Sequence, residues 1–261
     1  MNKKKVLTEA KNFYKEINLQ QNFKSRMRLA EEYYSGWYQE VAKLDLGDEA
    51  TVSNHKLPTF FLGDTSTLTI YLISPSLAEI KLFASKFKKV YFSAVPKLKG
   101  NFPANTFQLN RDKNYELDLE QVRNLKVDCA FSHHVVEHIH PKDIKRHLAE
   151  VYSLLKKGGR YLIICPSSIR IKKDEISNNF FSQVSVYHHV GRYSYQSIHD
   201  LSREMGFTRC FRPIINPNLL NHFHPYRSSW CYDYLEKLSA IIPDQLLSIL
   251  GLNSLYITIT K

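Results

Sequence analysis

No stretch of the 261-residue sequence approaches the roughly eighteen uninterrupted apolar residues that a membrane-crossing helix requires, so a soluble chain is expected. Cysteine is scarce. Cys129, Cys165, Cys210 and Cys231 lie far apart, form no C-x-x-C pair, and the first two fall inside apolar runs, which points to buried free thiols and away from a disulfide framework or a thiolate metal centre. The basic start, Met1 to Lys5, runs into Val6-Leu7-Thr8-Glu9 without an apolar core or a small-residue cleavage site, so no secretory signal is read and a cytoplasmic location is expected. Internal repeats and low-complexity segments are also missing.

Positive charge is what the chain has in excess. Thirty-six Lys and Arg stand against 25 Asp and Glu, a formal +11 with a pI near 9.3, which favours anionic partners. The excess gathers at Lys3 to Arg28 and Lys81 to Lys113, neither a dense basic run interleaved with aromatics, so nucleic acid is not the expected partner. With 43% hydrophobic and 23% charged residues the composition is that of a globular protein able to build a core.

Residues 1–48 carry helical periodicity: Leu7, Ala10, Phe13/Tyr14 and Ile17, then Met27, Ala30, Tyr34, Trp37, Val41 and Leu44, with charged residues between. They form an amphipathic cap. Gly47, Pro58 and Gly63 punctuate a connection carrying the apolar plug Phe60-Phe61-Leu62. From Thr67 the pattern becomes short β-rich runs alternating with helical segments: Leu68 to Ile73, Val90 to Ser93, Thr106 to Leu109, Val127 to Phe131 and Tyr161 to Cys165. Such alternation predicts an α/β fold, a mostly parallel sheet with helices on both faces. A helix is predicted from Pro141 to about Lys157, ended by Gly158-Gly159, and another from Ser194 to Met205, ended by Gly206. The alternation Leu255 to Thr260 reads as a final strand. Two units are expected, a helical cap and connection over residues 1–66 and a larger domain over 67–261.

The segment Val127-Asp128-Cys129-Ala130-Phe131-Ser132-His133-His134-Val135-Val136-Glu137-His138, the following helix, and Leu154-Leu155-Lys156-Lys157-Gly158-Gly159-Arg160-Tyr161-Leu162-Ile163-Ile164-Cys165 resemble the second half of a class I S-adenosylmethionine-dependent methyltransferase of the small-molecule type. Gly191-Arg192-Tyr193-Ser194 leading to Gly206-Phe207, and the terminal Tyr256 to Lys261, are similar to the family's late helix and last antiparallel strand. The resemblance implies a Rossmann-like seven-stranded sheet and S-adenosyl-L-methionine as cofactor. It implies cofactor contacts at Ser74 and Ser76 after the first strand, Ser93 after the second, Asn110 and Asp112 after the third, and Ser132 in the fourth.

Departures from the family pattern gather at those positions. The first strand runs into Ser74-Pro75-Ser76-Leu77-Ala78-Glu79, with none of the glycines that let the backbone approach the methionine end of the cofactor. Pro75 removes a backbone donor. Ser76 and Glu79 form a capping-box pattern that engages each other. Ser93 stands where the family has an acid for the ribose hydroxyls, and a neutral hydroxyl makes a bond about half as strong as a charge-assisted one. Weak cofactor binding is the expectation.

Histidines crowd the end of the fourth strand: His133, His134, His138 and His140 around Glu137. Loops at the carboxyl ends of parallel strands line the ligand crevice, so His133 or His134 is placed as a proton acceptor, its ordinary pKa near ~6.5 suiting that task. Glu137 and His138 read as anchors of the loop. His134 and His138 share a spacing compatible with zinc, but the order is not H-E-x-x-H and no third ligand is visible, so no metal is expected. His188, His189 and Arg192 form a second cluster, read as substrate-binding, and the donor-rich Asn221 to Arg227 is read as closing the crevice. The function implied is methyl transfer to a hydroxyl or carboxyl of a small-molecule or glycan-type substrate, anionic given the basic charge. A catalytically inactive relative kept for binding or scaffolding is the alternative that the degenerate motifs favour.

Overall fold

The computed structural model describes residues 3–42, 62–166, 168–177, 179–211 and 254–261. The Phe60-Phe61 part of the plug, the Asn221 to Arg227 cluster, Leu44 and Cys231 lie outside them, as do the side chains of Trp37 and Val41.

Two helices come first, α1 (Lys3–Leu19) and α2 (Phe23–Ala42). Val6, Ala10, Phe13 and Ile17, three or four apart, are the buried face of α1, as the periodicity requires. Then follow β1 (Thr69–Ile73), α3 (Leu77–Ala84), β2 (Lys89–Ser93), β3 (Thr106–Gln108), α4 (Leu119–Val122), β4 (Val127–His133), a 3₁₀ turn at Val136–His138, and α5 (Ile144–Leu154). The remainder is β5 (Leu155–Pro166), α6 (Ser168–Glu175), α7 (Phe180–His188), α8 (Tyr195–Glu204), β6 (Arg209–Phe211) and β7 (Ser254–Thr260).

The strands form one seven-stranded sheet in the order β3-β2-β1-β4-β5-β7-β6. β1 to β5 run parallel, and β7 is antiparallel to both neighbours. The order reverses between β1 and β4, neighbours in space though not in sequence, and a crevice for ligands opens at the carboxyl ends of strands flanking such a point.

Strand periodicity divides the core. Ile70 and Leu72 of β1 pack with Ile80 and Phe83 of α3, Val90, Phe92, Cys129, Phe131 and Leu162. Tyr71 and Ile73 face the other way, into a cluster built on Leu148, Val151 and Leu154 of α5, Ile198 of α8, Tyr161 and Ile163. Ser76 caps α3 by accepting from the Glu79 amide, while Glu79 accepts from the Ser76 amide, the capping box expected.

The helix expected from Pro141 begins at Ile144, with Asp143 at its N-cap and a turn before it. Expected to reach Lys157, it ends at Leu154, because Leu155 already pairs with Val127 across a register shift, and β5 continues through Gly158, whose φ of +77° is glycine's province. α6 and α7, unforeseen in the sequence, form an insertion between β5 and α8, and α7 carries the platform for the cap: Val6 and Ala10 of α1 pack on its Val184.

Candidate functional site

The crevice at the β1/β4 reversal is covered by α1 and α2, which close over it and leave a cavity of about 190 Å³. Ile73 and Ser74 form one wall, His134, Val135, His138 and Ile139 the second, Arg146, His147 and Glu150 of α5 the third, and Ile17, Arg26, Met27, Ala30 and Tyr34 the roof.

The two strand ends that flank it share a rare backbone conformation. Ser74, one residue past β1, has φ +48°, and His134, one residue past β4, has φ +53°. Side chains adopt the left-handed region only at a cost of about 1–2 kcal/mol, and such residues gather at functional sites. Ser74 is held by a 2.7 Å bond from its amide to the Ser93 carbonyl, and His134 by a 2.9 Å bond from its amide to the Ile164 carbonyl. Ser74 thus holds a turn conformation that glycine would adopt at lower cost.

The roof is fixed by polar bonds. Arg26 donates to both oxygens of Asp143, from Nε at 2.6 Å and Nη2 at 2.5 Å, with both side chains under a tenth exposed. Tyr34 lies 2.9 Å from His138 Nδ1 through its hydroxyl, and Tyr33 lies 2.6 Å from His188 Nε2. Tyr115 donates to Glu31. Arg146 stacks over Phe23 and pairs with Glu116.

Toward β2 the polar groups satisfy one another. The Tyr71 hydroxyl lies 2.6 Å from Ser93 Oγ, to which Arg111 also donates at 3.3 Å, and Arg111 grips Glu150 through two bonds of 2.8 and 2.9 Å. Burial, then the Glu150 charge, pushes the Tyr71 phenol up. His147 of α5 sits 2.8 Å from the Tyr161 hydroxyl, which lies 2.8 Å from Ser132 Oγ. Burial, with the Arg111 charge nearby, drives His147 down to about 3, so it stays neutral at physiological pH.

Of the proton acceptors expected from the sequence, His134 lines the cavity, half exposed, with Nδ1 2.9 Å from Glu137 Oε1. Its desolvation opposes charge, but the hydrogen bond and charge of Glu137, with Glu79 beyond, outweigh this and raise its pKa. His133 is turned to Glu79, 3.0 Å from Oε1, and does not line the cavity. Glu137 is 1% exposed; burial opposes its charge, and His134, His138 and His189 together hold its pKa below the ordinary value.

Among the expected cofactor contacts, Ser74 borders the cavity. Ser76 is engaged with Glu79, Ser93 with Tyr71 and Arg111, and Ser132 with Tyr161. Asn110 accepts from Lys97, and Asp112 accepts from the Asn114 and Glu116 amides in its own turn. His188 and His189 are buried behind Tyr33 and His138, and Arg192 pairs with Glu175. Sequence reasoning missed Arg26, Arg111, Asp143, His147 and Glu150. A signal existed for two of them: His147, three residues after Ile144 and four before Val151, and Glu150, three residues further on, are polar residues at the edge of the apolar stripe of α5.

Residues 69–163 match a family model described as a methyltransferase domain. No curated protein matches the chain. Among solved structures, a SAM-dependent methyltransferase from Archaeoglobus fulgidus is similar at 15% identity and TM-score 0.53, covering 86% of this chain and 100% of that one. A SAM-dependent methyltransferase from Thermotoga maritima, described as a possible histamine N-methyltransferase, is similar at 15% identity and TM-score 0.47, covering 88% and 97%. Phosphoethanolamine N-methyltransferase 2 of Haemonchus contortus, in complex with S-adenosyl-L-methionine, gives 16% and 0.47, covering 79% of this chain and 51% of that one. At 15% identity the Archaeoglobus fulgidus structure speaks for the fold alone, a mostly parallel sheet in the order 3-2-1-4-5-7-6, within which residues 69–163 match the methyltransferase-domain model.

Proposed function

We propose that this protein transfers a methyl group from S-adenosyl-L-methionine to a hydroxyl or carboxyl of a small, anionic substrate, glycan-type acceptors included. The observation that carries this reading is the cavity between Ser74 and His134, two left-handed residues at the carboxyl ends of adjacent strands. The cofactor supplies a methyl group on a sulfonium centre. Its methionine end would lie on the Ser74 side of the cavity, where the backbone turns through a left-handed residue.

The chain's residues position and deprotonate. α1 and α2 exclude water above the site, and methyl transfer depends more on in-line placement than on strong acid–base help. His134, which Glu137 orients and makes more basic, takes the proton of an attacking hydroxyl; a carboxylate acceptor needs no base. The lean toward an anionic acceptor rests on the +11 charge of the whole chain, since Arg26, Arg111 and Arg146 border the cavity but are paired with Asp143, Glu150 and Glu116.

The ribose end supports the alternative, a binding or scaffolding protein without turnover. Ser93 is 1% exposed and its hydroxyl is held by Tyr71 and Arg111, so a ligand must displace internal bonds to use it. Titration calorimetry with S-adenosylhomocysteine separates the two. Loss of one charged hydrogen-bond partner costs about 1.5–3 kcal/mol, roughly ten- to a hundredfold in affinity, so the enzyme reading expects a Kd on the order of hundreds of micromolar. An absence of heat at millimolar ligand would leave the scaffold as the better reading.

A further inference from the structure

Behind the His134–His138 wall of the cavity, one ligating atom from each of Glu137, His138 and His189 lies within 4.8 Å of the other two. Glu137 Oε2 is fully enclosed and has no hydrogen-bond partner among the described residues, although Glu137 Oε1 meets His134. A buried carboxylate oxygen without a donor costs free energy that folded proteins rarely leave unrecovered. Three histidine rings surround this carboxylate, yet none reaches the second oxygen.

The environment of His138 sharpens the point. Its Nδ1 lies 3.0 Å from the His188 carbonyl and 2.9 Å from the Tyr34 hydroxyl, so that nitrogen is engaged and Nε2 is left to face a ligand. A backbone carbonyl holding one ring nitrogen as N–H is the usual way a metal-binding histidine is oriented. His189 is brought up by an unusually close chain crossing. The Gly191 amide donates to the Glu137 carbonyl at 2.8 Å, and a Cβ at Gly191 would fall 2.5 Å from the Ile139 carbonyl oxygen and 2.4 Å from the Tyr193 ring. Only glycine permits this approach, which is what sets two distant histidines beside one carboxylate.

We infer that Glu137, His138 and His189 bind one zinc ion. Two imidazoles and a carboxylate form a three-ligand zinc set whose fourth position is left to water, and the mixed nitrogen and oxygen donors argue against calcium or magnesium. A tetrahedral ion with bonds of about 2.0–2.2 Å would sit between the three ligand atoms, and coordination through Oε2 would satisfy that oxygen. The ion would link the loop after β4 to the loop after α7, and so stiffen the cavity wall against which Tyr33 and Tyr34 of the cap rest. The sequence pattern hid the site because its third ligand lies in a different loop. The inference stands apart from methyl transfer and does not depend on it.

The full chain, stripped with a chelator and dialysed, is titrated with zinc chloride in a calorimeter, and metal content is counted after gel filtration. One zinc per chain is expected, and cobalt substituted for zinc should give the visible absorption of a tetrahedral site. His189→Ala and Glu137→Gln should each weaken zinc binding by at least about tenfold. His199→Ala, on α8 and paired with Asp200, should leave it unchanged. Circular dichroism accompanies each variant; should Glu137→Gln not fold, His138→Ala takes its place beside His189→Ala. Failure of the wild-type chain to take up zinc overturns the inference, as does zinc uptake that His138→Ala and His189→Ala leave unaltered.

Discussion

Around Ser74 and His134 the cavity is bordered by polar groups that already have partners, among them Asp143 with Arg26 of α2, His138 with Tyr34, and His134 with Glu137. Toward β2, by contrast, Tyr71, Ser93, Arg111 and Glu150 bond to one another; Arg111 and Glu150 still border the cavity, whereas Ser93 is enclosed. The first arrangement is preorganised for a ligand, because its side chains are fixed before anything binds. The second is satisfied without one. The difference separates an enclosed corner at Ser93 from an accessible one at the ends of β1 and β4.

The open half stands on the Arg26–Asp143 pair, so the sharpest way to break the comparison is to remove it. Arg26→Ala leaves a buried carboxylate without its partner, and truncating one member of such a pair costs about 3–5 kcal/mol. Urea denaturation should report a loss of that size. The double change Arg26→Met with Asp143→Leu should recover most of it, since apolar replacement of both charges removes the uncompensated ion. A single variant as stable as the wild type would show that the cap does not rest on this contact.

Gly191→Ala tests the loop crossing that backs the same wall. The added Cβ meets the Ile139 carbonyl and the Tyr193 ring well inside contact distance, and overpacking of this kind costs about 1–3 kcal/mol. The expected thermal shift is downward, and α8 with its neighbours should lose protection from hydrogen exchange before β1 and β4 do. Uniform protection across the sheet and α8 would show that the loop absorbs the change.

Much of this architecture was legible in the sequence. β1 and β4 announce themselves as apolar runs buried on both faces, the Ser76–Glu79 cap reads directly from its spacing, and Leu148 and Val151 fall on the stripe that packs against the sheet. The site was legible only where it is local. His134 could be placed at a strand end from its neighbours, but Arg26, Tyr34 and His189 come to it across long stretches of chain, and no periodicity encodes such meetings. Ser93 illustrates the converse: the missing acid was visible, whereas the Arg111–Glu150 pair that occupies its neighbourhood joins a loop to a helix and leaves no trace in spacing.

The acid side of the stability profile probes the enclosed half. His147 has an ordinary pKa near ~6.5 when unfolded and about 3 in the folded chain, where burial and the Arg111 charge oppose its protonation while the Tyr161 hydroxyl holds its Nε2. Below about pH 6.5 the unfolded state therefore binds a proton that the folded state refuses. Stability attributable to this residue is whole above that pH and falls toward pH 3, by up to about 1.4 kcal/mol per pH unit. Denaturation curves at pH 7, 6 and 5 should show a steeper decline for the wild type than for His147→Gln. Equal slopes would mean that the residue is solvated and titrates freely.

The smallest expected change in stability, and the one that bears most directly on the comparison, comes from Ser74→Gly. Relief of a left-handed side-chain conformation is worth about 1 kcal/mol, and the greater freedom of glycine in the unfolded chain takes back about 0.4–1 kcal/mol. Folding stability should thus stay within about 0.5 kcal/mol of the wild type. Ligand affinity should not stay put. The side chain removed stands at the loop where glycine in this family allows close backbone approach, so S-adenosylhomocysteine should bind up to about tenfold more tightly, a gain of about 1.4 kcal/mol. Calorimetry on the two proteins side by side measures it. A stable variant with unimproved binding would assign the whole deficit to the Ser93 corner, and the open half would then be a substrate chamber whose neighbouring loop no longer serves the cofactor.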